Sequence, residues 1–224
     1  IVLLIIASVC SLTPVLAQVV TDSVPNETPS VKDTVTIVGV GDIMMGTNYP
    51  ENKLPEANGA TLMKAVEPYL QEADITFGNL EGTLLDSGGT PKTCRDPKVC
   101  YVFRTPVSFV DNLTRAGFDL MSLANNHAGD FGETGRLSTM NTLEAAGIKH
   151  AGQLTQKFTV LEKDSVKYGL VAFAPNSGCV SLNDLPGARQ LVQHLDSICD
   201  IVIVSFHGGA EGAQFQNVPR QNEL

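Results

Sequence analysis

The chain has 224 residues, 43% of them apolar and 17% charged, with a formal net charge of −9 and a pI near 4.8. That composition suits a globular protein with a sizeable core, in one large domain or two small ones. It contains no Lys/Arg-rich stretch that could form a basic stripe, which argues against nucleic acid as a partner. An anionic polymer or phosphate ester would be repelled at long range unless bound cations inverted the local field.

The opening IVLLIIASVCSLTPVLAQ holds an apolar run, then Pro14, then Val15-Leu16-Ala17 before Gln18. This pattern matches the apolar region and small-residue cleavage site of a secretory signal, with cleavage expected after Ala17 and a secreted or periplasmic destination. The run is short for a membrane span and Pro14 interrupts it. No basic flank or initiator Met precedes it, so residues 1–17 read as a partial signal. Residues 18–33 are polar, proline-bearing and aperiodic, a linker. The domain proper is expected over 34–224.

Within it, strand-like and helix-like segments alternate. TVTIVGVGDIMMG is β-branched and apolar and ends in Gly41-Asp42. TLMKAVEPYLQEAD places Leu62, Ala65, Val66, Tyr69 and Leu70 on one helical face, with Pro68 kinking or splitting it. DITFGNLEG is a second short strand. A long loop follows through Cys94 and Cys100, which flank RDPKV. Without the signal's Cys10, four cysteines remain, an even number for an oxidising compartment, and a local Cys94–Cys100 disulfide is the favoured pairing. Zinc spacing is absent, and four free buried thiols are the alternative.

TPVSFVDNLTRAGF then reads as a helix with Pro106 in its first turn and Gly117 at its end. MSLANNHAGDFG is a third strand that runs into Asn125, Asn126, His127 and Asp130. Behind it, ETGRLSTMNTLEAAG carries Leu137, Met140 and Leu143 at helical spacing and stops at Gly147. KFTVLEKDSVKYGLVAFAP is a hairpin turning near Lys163-Asp164-Ser165. NDLPGARQLVQHLDSICD is a helix with Ala188, Leu191, Val192, Leu195 and Ile198 inward, and IVIVSFHGGAEG is a final apolar strand. Apolar strands separated by helices imply an α/β protein whose strands are covered on both faces.

Ligands in such folds bind at the carboxyl ends of strands. Those ends carry Asp42; Asn79 and Glu81; Asn125, Asn126 and His127; and His207 with Glu211. Carboxylate, imidazole and amide oxygen are the ligands of hard or borderline divalent cations. Taken singly each has a plainer reading: Asp42 a turn residue, the asparagines a loop or helix cap, the histidines satisfied core residues. His150 and His194 have no such company and read as surface or structural, and Met44, Met45 and Met63 as packing residues. Only convergence of the four ends would make a site.

The stretches VGVGDIMMG, ADITFGNLEG, SLANNHAGDFGETGRLSTMNTLEAAGIKHAG and IVIVSFHGGAE resemble, in order, the motifs of the CapA family of poly-γ-glutamate capsule synthesis proteins. That family is similar in fold to calcineurin-like metallophosphoesterases, which implies a four-layer α-β-β-α sandwich with a metal centre at the strand ends. The resemblance implies Asp42 as a first-motif metal ligand and Glu81 in the place of a bridging carboxylate. It implies Asn126 and His207 as further ligands and His127 as proton donor or transition-state stabiliser. Asn79, Asn125 and Glu211 are supporting candidates. The implied cofactor is a divalent ion, Mn, Zn, Fe or Mg. The implied partners are an anionic capsule polymer or phosphoester substrate and membrane synthase or export subunits. Two departures stand out. Met44 occupies the place of the histidine in the phosphoesterases' G-D-x-H motif, which weakens one of two metal positions. The chain also stops before a G-H-x-P-H-type motif, so the domain is expected to be truncated at its C-terminus.

Overall fold

The computed structural model describes residues 34–209. The expected signal and linker, and Glu211, lie outside the described residues. A compact unit begins at Val35. In chain order its elements are β1 (Ile37–Ile43), α1 (Glu67–Gln71), β2 (Ile75–Leu80), β3 (Thr83–Leu84), β4 (Arg104–Thr105) and α2 (Val110–Ala116). There follow β5 (Leu120–Ser122), α3 (Gly132–Ala145), β6 (Lys149–Ala151), β7 (Phe158–Lys163), β8 (Val166–Phe173), α4 (Leu185–Asp196) and β9 (Ile201–Phe206).

Two sheets carry the fold. The first is parallel throughout, in the order β1-β2-β5-β6, and the second runs β7-β8-β9, with β7 antiparallel and β9 parallel to β8. Parallel neighbours need a crossover, and each helix supplies one. The layers follow from the two-residue period of a strand. In β5, Leu120 points between the sheets with Ile75, Tyr168 and Leu170. Its neighbour Met121 points outward, onto Leu113 of α2 and Met140 and Leu143 of α3. In β8, Leu170 faces inward while Val171 packs outward with Leu195 of α4. Helices therefore cover the outer face of each sheet, giving the expected α-β-β-α order. Each fully buried leucine stabilises this arrangement by about 1.5–3 kcal/mol.

Local signals set the boundaries. Gly117 closes α2 in the left-handed region, at φ 88°, where a glycine carries no Cβ penalty. The Asp184 carboxylate accepts from Gly187 N at 3.1 Å and caps α4. Asp164 and Ser165 both take positive φ in the two-residue turn between β7 and β8, the geometry that matches strand twist.

Several expectations need correction. The helix over 61–74 is only α1, because Pro68 lies in its first turn and begins a helix instead of continuing one. Leu62, Val66 and Tyr69 are exposed, and of the expected face Leu70 alone is fully buried. Leu137 and Ile198 are exposed too. Strand β6, paired to β5, was not anticipated, because its three residues, Lys149–Ala151, are too few to show alternation. The residues of β9 are not covered on both faces: Val204 and Phe206 are exposed.

One irregularity positions the site. In β1, Ile37 and Gly39 pair with Ile75 and Phe77, but the next partner of Asn79 is Asp42. One extra residue in β1 makes a β-bulge, after which the strand's faces exchange. Val38 and Val40 before it, and Ile43 after it, all pack on the helices. Asp42 is thereby placed on the face shared with Asn79, toward the second sheet. Gly78 sits under the bulge, where a Cβ would lie 2.6 Å from Ile43 Cδ1 and 2.8 Å from Val40 Cγ2.

Candidate metal centre

The carboxyl ends of β1, β2, β5 and β9 meet. The Asp42 Oδ1 accepts from Asn79 Nδ2 at 2.7 Å and lies 3.3 Å from His207 Nδ1. His207 follows β9, where its backbone N–H donates to Phe173 O at 2.9 Å and extends the ladder with β8. Its other ring nitrogen is 3.0 Å from Asn126 Oδ1. Ligand atoms of Asp42, Glu81 and His207 all lie within 4.8 Å of one another. Two carboxylates, an imidazole and an adjacent amide oxygen, from four separate strand ends, form a donor set that fits one divalent cation with oxygen and nitrogen preference.

Asn79 and Asn125 support this cluster. The Asn125 Nδ2 donates to Asn79 Oδ1 at 3.1 Å and to Leu80 O at 2.9 Å, while its Oδ1 accepts from His127 N at 3.0 Å. Asn125 thus orients Asn79, which orients Asp42, as groups behind a metal ligand commonly do. Met44 is 47% exposed and its Sδ accepts from Gly46 N at 3.1 Å.

Beside the cluster, His127 forms a pair that sequence reasoning did not assign. Its Nδ1 lies 2.8 Å from Oδ2 of Asp130, which is wholly buried, and its Nε2 lies 3.8 Å from Glu81 Oε1. A carboxylate only accepts, so Nδ1 carries the proton and Nε2 is the atom turned to the candidate ligands. The same Asp130 oxygen accepts from Phe103 N at 2.7 Å, and the Phe103 ring stacks on the imidazole with centroids 4.3 Å apart. The Lys92 ammonium stands 2.6 Å from Asp130 Oδ1, an ion pair and not a directed hydrogen bond. The His-x-x-Asp spacing could have flagged Asp130. Nothing in the sequence flags Lys92.

The cysteines divide. Cys94 and Cys100 form a disulfide with Cα atoms 5.5 Å apart, whereas Cys179 and Cys199 are free. Cys179 is buried behind the site, its Sγ 3.6 Å from Asn125 O. Burial pushes the Cys199 thiol pKa up. His150 and His194 lie elsewhere, the first buried beside Glu144 and the second edge-on to Phe158. No helix among the described residues is long and apolar enough to cross a membrane.

The chain is similar in sequence to known proteins over most of its length. The chain is 27% identical over 220 residues to the capsule biosynthesis protein CapA of Bacillus anthracis, covering 86% of this chain and 50% of that one. It is also 27% identical over 221 residues to the PGA biosynthesis protein CapA of Bacillus subtilis strain 168, covering 88% and 56%. An uncharacterized protein of Sinorhizobium fredii, y4sH, is 32% identical over 126 residues, 55% of this chain and 25% of that one. The chain thus spans between a quarter and about half the length of these relatives. Among solved structures it is similar to the calcineurin-like phosphoesterase YfkN of Bacillus subtilis, at 15% identity and a TM-score of 0.46, covering 84% of this chain and 66% of that one. A phosphatase from Mycoplasma pneumoniae matches at 16% and 0.47, covering 79% and 56%. The family model for the bacterial capsule synthesis protein PGA_cap matches residues 36–224, so the chain belongs to that family.

Proposed function

We propose that this chain carries a metal-dependent hydrolase-type or transferase-type domain acting in the synthesis or export of an anionic capsule polymer of the poly-γ-glutamate kind. The observation that carries the reading is the convergence of Asp42, Glu81 and His207 within 4.8 Å, with His127 Nε2 3.8 Å from Glu81. A divalent ion at Asp42, Glu81, Asn126 and His207 would supply Lewis-acid polarisation of a phosphoryl or acyl oxygen and activate water. His127, its Nδ1–H held by Asp130, takes a proton at Nε2 from the attacking water and hands it on to the leaving group, and Asp130 stabilises the doubly protonated ring in between. Asn79 and Asn125 keep Asp42 aimed. The relatives named for capsule and PGA biosynthesis support the polymer, and the signal-like residues 1–17 support an extracytoplasmic location beside membrane synthase or export subunits. Bound cations would offset the −9 net charge where an anionic substrate approaches.

The test is metal content per chain after incubation with manganese, zinc or iron, beside an Asp42→Ala/His207→Ala double variant, followed by turnover of phosphoester and γ-glutamyl substrates. Stoichiometric metal lost in the double variant is expected, with His127→Ala impairing turnover far more than metal content. A metal-free wild type would sink the hydrolase reading. One observation favours a second reading, a non-catalytic accessory subunit that binds polymer: Met44 stands where the phosphoesterases' histidine is expected, and its sulfur accepts from Gly46 N. Metal binding without turnover on any substrate would favour it.

A further inference from the structure

The His127–Asp130 pair is gripped from outside the parallel sheet. Between β3 and β4 the chain runs through residues 85–103 with one short helical turn, Pro97–Val99. Irregular segments of that length are uncommon in compact domains and are usually either functional or loose. This one returns to the same residue at both of its flanks. On the way in, Lys92 N donates to Asp130 O at 2.8 Å. The Lys92 ammonium also stands 2.6 Å from Asp130 Oδ1, 3.3 Å from Asn126 O and 3.3 Å from His127 Nδ1. On the way out, Phe103 N donates to Asp130 Oδ2 and the Phe103 ring covers the imidazole. Between the flanks lies Cys94–Cys100, closing the excursion into a short ring.

A buried carboxylate with two neutral donors is poorly compensated, and a fixed ammonium makes up the difference. The Lys92 side chain reaches Asn126, His127 and Asp130, in the segment that holds a candidate ligand and the candidate proton donor.

We propose that Lys92 is a positioning residue. It fixes the Asp130 carboxylate and, through it, the tautomer and orientation of the His127 ring, and the Cys94–Cys100 bridge keeps Lys92 and Phe103 seated on the pair. The proposal rests on reading His127 as the proton donor of the proposed function. It separates two jobs: one set of residues holds the ion, and a loop from outside the parallel sheet aims the acid.

The experiment is imidazole NMR on histidine-labelled protein loaded with zinc alone, with the His127 signals assigned through His127→Gln. Wild type is expected to show one His127 tautomer, protonated at Nδ1. Lys92→Met, which keeps the aliphatic stem, is expected to mix or broaden those signals while His150, His194 and zinc per chain stay unchanged. Lys92→Arg should restore the wild-type pattern, and mild reduction of Cys94–Cys100 in the wild type should move the His127 signals in the direction Lys92→Met does. Unchanged His127 signals in Lys92→Met would overturn the proposal, as would zinc loss in step with their change. Should Lys92→Met fail to fold, seen as loss of the His150 and His194 signals, the reduction arm decides: His127 unmoved by reduction overturns it. With a substrate in hand, Lys92→Met should lower kcat by on the order of tenfold to a hundredfold with little change in KM. Failure to find turnover at all would refute the hydrolase reading and leave the NMR result to stand or fall by itself.

Discussion

Replacing Asp130 with alanine should be among the most destabilising single changes near the site. The carboxylate is wholly buried and its Oδ2 accepts from Phe103 N at 2.7 Å and from His127 Nδ1 at 2.8 Å. Alanine leaves both donors without a partner, at about 1–3 kcal/mol for each buried group. Lys92, whose side chain is 26% exposed, can turn toward water, so its loss adds little. Removing a buried charge also relieves some desolvation cost, which trims the sum. The net expectation is about 2–5 kcal/mol, a large share of the roughly 5–15 kcal/mol that holds a domain together. Asparagine keeps the shape and one acceptor but turns an amide toward the ammonium, so Asp130→Asn should cost about 1–2 kcal/mol. Urea unfolding under non-reducing conditions, followed by far-UV circular dichroism, reads both; the midpoint should move while the slope with denaturant stays the same. Asp130→Ala costing less than about 1 kcal/mol, or asparagine costing more than alanine, would refute the idea that this carboxylate anchors the network.

Other expectations are simpler to state. Leu143→Ala empties a fully buried position between α3 and the first sheet and should cost about 3–4 kcal/mol in the same unfolding assay. Cys94→Ser/Cys100→Ser should lose about 2 kcal/mol, the loop-closure entropy of so short a ring, and the difference from wild type should vanish in reductant. His150 has its pKa lowered from 6.5 by burial, against the opposing pull of Glu144. Unfolded chain therefore takes up a proton near pH 6.5 that the folded protein refuses until lower pH. Stability should fall as pH drops through that value and level off below the folded pKa. Stability measured from about pH 7.5 down to about pH 5 should decline less in His150→Gln than in wild type.

How legible the molecule was depends on the range of the interaction concerned. The strands β1, β2, β5, β8 and β9 announce themselves by runs of apolar residues ending in polar ones, and the layers follow from covering such runs on both faces. Asp42, Glu81, Asn126 and His207 were legible as strand-end residues, because a parallel sheet sends those ends to one side. Their convergence was not written locally. It depends on the bulge in β1 and on how the two sheets stack. Asp130 was half visible, three residues past His127 in the same stretch, yet its burial and its partners come from a distant loop. Lys92 reaches His127 across 35 positions and carries no local signature at all. The helix expected over 61–74 failed for a local reason, Pro68, which outweighed a good apolar stripe. At β6 the strand was too short for alternation to register.

The bulge in β1 also makes the site a matter of parity. A strand is a ribbon with two sides, and odd and even positions belong to opposite ones. Gly39 and Asp42 stand on the same side only because the count between them is off by one relative to β2, where Phe77 and Asn79 keep strict alternation. Deleting Gly41, which has open space around it, would change no side chain's chemistry and remove no core residue. It would restore even counting with every face kept: Val40 and Ile43 would stay in the helix layer and Asp42 beside Asn79. Regular pairing at full length does the opposite, because Gly41 would then lie opposite Asn79, sending the carboxylate into the helix layer and the isoleucine toward the second sheet. The bulge is therefore what reconciles the length of this segment with its two faces, and its register is under as tight a constraint as the identity of the aspartate.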